Sequence, residues 1–84
     1  MDDIDAVWGR IEAHAGETFR QVRGGEFTYR VEGGSVWPDR TNRNLGKSQF
    51  AQAFDRRPLT STTQLQDLQG PSYLFAILTD ARIA

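Results

Sequence analysis

Arg30, Arg40, Arg43, Lys47, Arg56 and Arg57, with Trp37 among them, are the residues of this 84-residue sequence best suited to do chemistry. Arginine presents a planar fork of donors that fits phosphate or carboxylate oxygens, and an aromatic ring beside it can stack a base. Such a set predicts a surface that binds nucleic acid mainly through its phosphates. Residues 20–57 carry eight bases against four acids, a net of +4, whereas residues 1–19 carry a net of −4 and the whole chain −1. Most stand-alone nucleic-acid binders are more basic than this, so the surface must be local. Nine of the ten bases are arginine, a bias that a GC-rich genome also produces without any binding role.

Other chemistries find little support. His14 is the only histidine, and its place near the end of a helix suits a surface or capping role rather than catalysis. Gly34-Ser35-Val36 is the nearest approach to a glycine-flanked nucleophile and reads better as part of a hairpin. The glycine pairs Gly24-Gly25 and Gly33-Gly34 lack the following helix and lysine of a phosphate-binding loop. Asp2, Asp3 and Asp5 form the only carboxylate cluster, at a helix start where acids complement the dipole. The sequence therefore predicts a protein that is not an enzyme, with no metal and no cofactor. There is no cysteine, so disulfides and thiolate metal sites are excluded and a cytoplasmic location is the simpler expectation.

The polarised charge serves a second function class equally well. A small adaptor or inhibitor could dock its acidic first helix or its basic face on a protein partner. Residues 47–56 and 62–68 could also form a helix-turn-helix, but the segment after Gly70 is too apolar to read a DNA groove. Nothing in the sequence fixes an oligomeric state.

One domain must position these residues, since 84 residues supply a single small core. Composition is 38% hydrophobic and 11% aromatic, enough apolar surface to fold rather than remain disordered. No apolar run approaches about 18 residues and the first residues are acidic, so neither a membrane span nor a signal peptide is expected.

Asp2 or Asp3 caps a first helix whose apolar stripe is Ile4, Val7, Trp8, Ile11 and Ala15, with Gly16 at its end. Phe27, Tyr29 and Val31 alternate with polar residues, Gly33-Gly34 turns the chain, and Ser35-Val36-Trp37 returns. With two residues in that loop, Val31 opposes Val36 and Arg30 opposes Trp37. Residues 18–22 precede a second glycine pair, so residues 18–37 read as a three-stranded antiparallel meander. If its first loop also holds two residues, Val22 opposes Phe27, and Phe19, Arg30 and Trp37 share one row. Val22, Phe27, Tyr29, Val31 and Val36 then form the core face.

The polar run 39–44 leads into a helix capped by Gly46, with Gln49 as capping-box partner and Leu45 stapled to Phe50. Pro58 stops that helix, and Arg56 and Arg57 belong to its last turn. Ser61 to Gln64 has capping-box spacing and opens a short helical segment burying Leu65 and Leu68. Residues 72–79 are apolar on every side. The Gly70-Pro71 entry favours a final helix, with a fourth strand as the alternative. The fold class expected is α+β: a helix, a meander, then two or three short helices on one sheet face.

Overall fold

The computed structural model describes residues 3–84, and the architecture is α+β, with an N-terminal helix, antiparallel strands and further helices. Helix α1, Ile4–Ala13, starts at Asp3, whose carboxylate accepts a hydrogen bond of 2.9 Å from the Ala6 amide. That satisfies one of the donors a helix start leaves unpaired. Asp2, the other candidate cap, lies outside the described residues. Val7, Trp8 and Ile11 are buried on the inner face as the stripe predicts, but Ala15 is exposed because the helix ends two residues before it.

The predicted meander divides into two small sheets. Strands β1 (Phe19–Arg20) and β2 (Glu26–Phe27) make one. Strands β3 (Tyr29–Glu32), β4 (Ser35–Pro38) and β5 (Leu45–Gly46) make the other, in that spatial order. Thr28 separates β2 from β3, and both of its backbone groups are met by Asp39: its amide donates to the Asp39 carboxylate at 2.9 Å, and its carbonyl accepts from the Asp39 amide at 2.9 Å.

The second hairpin matches the sequence reading. Val31 pairs with Val36 and Arg30 with Trp37, across a two-residue turn in which Gly33 and Gly34 have φ of 59° and 74°. Positive φ at both positions is the hairpin turn that glycine adopts without strain.

The first hairpin corrects it. Phe19 pairs with Phe27, and the Gln21 amide donates to the Gly25 carbonyl, so the loop is the three residues Val22-Arg23-Gly24. Only Gly24 of that pair has positive φ, 91°, as in a type I turn closed by a left-handed residue. The register moves by an odd number of residues, which exchanges the faces of the strand. Phe19, expected in the outer row, is 1% exposed; Val22, expected in the core, is 64% exposed.

Strand β5 is not expected from the sequence, since Leu45 and Gly46 read as the entry to a helix; it forms because Leu45 pairs with Val36 and buries its side chain. Helix α2, Lys47–Phe54, follows directly, with Gly46 as N-cap. Gln49 makes no capping box; its side-chain oxygen accepts from the Gln69 amide instead. The helix closes at Phe54, so Arg56 and Arg57 lie beyond its last turn. Ser61 caps a 3₁₀ turn, Thr62–Leu65, with the full reciprocal box to Gln64. Residues 71–79 are helical, α3 (Pro71–Thr79), with Pro71 in the first turn.

Gly70 enters α3 at φ 58°, and a Cβ there would lie 2.8 Å from Leu45 Cδ2, so α3 and β5 meet at a residue without a side chain. The core joins α1, the sheets and the later helices. Trp8 meets Phe50 edge-on at 5.6 Å, Phe19 lies 5.2 Å from Tyr29, and Phe27 meets Tyr73 at 4.9 Å. The Tyr29 hydroxyl donates to the Ile11 carbonyl at 2.6 Å, and burial pushes its pKa up. Ile83 is fully buried and anchors the chain end. No helix among the described residues is long and apolar enough to cross a membrane.

Candidate nucleic-acid interface

Strands β3 and β4 position Arg30 and Trp37 directly opposite each other. The Arg30 guanidinium lies 5.2 Å from the Trp37 ring centre and 3.4 Å from the Glu32 carboxylate. Trp37 is half-buried, and its indole N–H donates to the Glu32 carbonyl at 3.3 Å, which fixes the ring's orientation. A cation over an exposed indole contributes about 0.5–1 kcal/mol. The pair is therefore prearranged without any ligand.

The loop that follows β4 carries the next two arginines. Its first residue, Asp39, is tied to Thr28, and its last, Asn44, donates to the Ser35 hydroxyl at 3.0 Å. Between these anchors Arg40 donates to the Glu26 carbonyl at 3.0 Å, using one of its five N–H groups. The Arg43 side chain has no hydrogen-bond or ionic partner among the described residues; only its backbone amide is engaged, by Thr41. Both guanidinium groups are exposed and, among the described residues, neither has a carboxylate within ion-pair distance. Arg20, counted in the sequence only towards net charge, comes near Arg40 through Glu26, whose carboxylate Arg20 meets across the strands at 3.3 Å and whose carbonyl Arg40 meets.

The other three bases are committed elsewhere. Lys47 Nζ holds Asp5 at 2.7 Å, linking the starts of α2 and α1. Arg56 clasps the Asp67 carboxylate through both terminal nitrogens, at 2.5 and 2.8 Å, and also donates to the Gln64 carbonyl. The Arg56 hydrogen bond keeps the Asp67 carboxyl below its ordinary range. Arg57 stacks on Phe54 at 3.5 Å and donates to its carbonyl. The eight residues of α2 rise about 12 Å, so Arg56 and Arg57 stand at the far end of the helix from Lys47. Arg30 and Trp37 thus form one cross-strand pair, Arg40 and Arg43 share the loop that follows β4, Lys47 stands at the near end of α2, and Arg56 and Arg57 at the far end.

Acids interleave with these bases: Glu26, Glu32 and Asp39 are all exposed. A recess of about 190 Å³ opens between Thr28, Arg30, Trp37 and Asp39. Among the described residues no group of three histidine or carboxylate side chains could hold a metal ion. His14 caps the end of α1 and is bonded at 2.9 Å to Glu17. No family model, curated protein or solved structure matches the chain, so the functional reading rests on these residues alone.

Proposed function

We propose that this protein is a small non-enzymatic binding module that holds nucleic acid, mainly by its phosphates, against the surface of Arg30, Trp37, Arg40 and Arg43. The observation that carries the reading is that Arg40 and Arg43 have no carboxylate partner among the described residues and share one anchored loop beside a half-exposed indole. Donors already pointed at solvent gain a phosphate at little cost in rearrangement. Trp37 and Arg30 add a flat surface on which a base can stack. Arg30 exchanges its exposed contact with Glu32 for a phosphate readily, because surface ion pairs contribute about 0–1 kcal/mol.

A protein partner is the second reading, and the specific observation in its favour is the interleaving of Glu26, Glu32 and Asp39 with the bases. Mixed charge at short spacing selects a complementary mixed surface and repels a uniformly negative strand at several points. Oligonucleotide titration separates the two. Short single- and double-stranded oligonucleotides at about 50 mM salt should bind at micromolar concentration, with affinity falling steeply as salt rises. Arg40→Ala with Arg43→Ala should weaken that binding and flatten its salt dependence. An unmodified protein that binds neither oligonucleotide under these conditions sinks the reading and leaves the protein partner in its place.

A further inference from the structure

Val22 is the single large hydrophobic side chain that stands exposed among the described residues, at 64%. The three-residue loop carries it to the rim of a cleft of about 330 Å³. Gln21 and Arg23 share that wall, Thr62 of the 3₁₀ turn and Gln66 just after it face them, and Pro71 and Ser72 close the end. The Gln21 side-chain amide donates to the Ser72 hydroxyl at 3.2 Å, which ties the loop to the start of α3. The remaining polar side chains are open. Arg23, Thr62 and Gln66 have no side-chain hydrogen bond or ion pair among the described residues.

We propose that this cleft docks an extended acidic segment of a partner protein, one with a carboxylate next to an aliphatic side chain. The three open groups match the parts of such a segment. The Gln66 amide holds a donor and an acceptor in one plane and pairs with a peptide unit, while the Thr62 hydroxyl can take either role. The Arg23 fork receives the carboxylate in a charge-assisted pair. Val22 and Pro71 cover the aliphatic side chain, which removes the exposed apolar surface that nothing in the protein itself covers. A nucleic-acid strand fits less well, because no aromatic ring lines the cleft to stack a base. The cleft includes none of Arg30, Trp37, Arg40 or Arg43, so the proposal stands apart from the nucleic-acid reading.

The test is an NMR titration of the uniformly labelled full chain with a capped five-residue peptide alternating aspartate and leucine. Saturable amide shifts are expected at Val22, Arg23, Gln66 and Ser72. Arg23→Glu should weaken the binding at least about tenfold, the size of effect for losing a charged hydrogen bond and meeting a like charge. Val22→Ser should weaken it by a smaller factor while leaving the fold and any oligonucleotide binding unchanged. Both sites are exposed loop positions, so the variants remain folded. The proposal is overturned if no saturable shift appears at millimolar peptide, if a lysine–leucine peptide binds as well, or if oligothymidylate moves the same amides.

Discussion

Arg82 and Arg43 carry the same guanidinium into opposite circumstances. Arg82 donates to both oxygens of Asp80 at 2.9 and 3.0 Å, to Glu17 at 3.0 Å and to the Thr18 carbonyl at 2.8 Å, and it lies 3.9 Å from the Phe19 ring centre. Arg43 has no such partner among the described residues. The first closes the chain end onto β1 through contacts that span more than sixty positions in sequence. The second sits between two anchored loop residues with its donors facing water. The lesson is that net charge along a sequence does not locate a binding surface. The count that matters is of donors left open once the fold has taken its share, and it separates Arg82, Arg56 and Lys47 from Arg40 and Arg43.

Removing the aromatic ring beneath Arg82 should have the largest effect. Phe19 is 1% exposed and touches Phe27, Tyr29 and Arg82, so Phe19→Ala should cost about 3–5 kcal/mol. Little folded protein would remain in so small a domain. A variant melting within a few degrees of the parent by circular dichroism would show that Phe19 is not part of the core.

Arg82→Ala should cost less, about 1–3 kcal/mol, since Arg82 is partly solvated and its pairs are screened. Its pH dependence sharpens the comparison. Glu17 is held below its ordinary pKa first by His14 and then by Arg82, and Asp80 is held below its own by Arg82. Depressed carboxylates contribute stability above their unfolded values, near 4, and that contribution disappears as acid protonates the folded form. Melting temperature should therefore hold steady from neutral to about pH 5 and then fall. In Arg82→Ala the fall should be shallower, and an unchanged acid limb would show that these pairs do not couple to folding.

Arg40→Ala with Arg43→Ala should have the smallest effect on stability, within about 0.5 kcal/mol. Chemical denaturation would check it. A loss comparable to that of Arg82→Ala would mean that the loop arginines serve the fold and are not held in reserve for a ligand.

The same distinction explains what could be read from the sequence. Gly33-Gly34 announces its turn because both residues need positive φ, and the Arg30 and Trp37 pairing follows from it directly. Gly24-Gly25 has the same letters, but only Gly24 takes the left-handed conformation. Nothing local separates a two-residue from a three-residue loop; burial of Phe19 against Phe27 and Tyr29 decides it, and that is a tertiary contact. Capping chemistry at Asp3, Ser61 and Pro71 was legible because each signal lies within four residues of what it satisfies. Strand β5 was not, since Leu45 and Gly46 become a strand only through Val36 and Ser35. Of the candidate surface, the sequence supplied the residue types and the loop. It could not supply the ion pairs of Lys47 with Asp5 or Arg56 with Asp67, whose partners are distant in the chain, nor the cleft, whose walls come from three separate segments.

The joint at Thr28 decides where this chain tolerates change. Both backbone groups of Thr28 are met by Asp39, which stands in for a neighbouring strand at the one residue where the two sheets part company. An insertion between Trp37 and Asp39 would carry that stand-in out of register and leave a donor and an acceptor unmatched at the junction. One between Thr41 and Arg43 would lengthen only the exposed span, with both of its anchors still seated. The span bearing Arg43 can therefore drift in length and composition over evolutionary time while the frame behind it stays fixed, so a new ligand preference can arise there without a new fold.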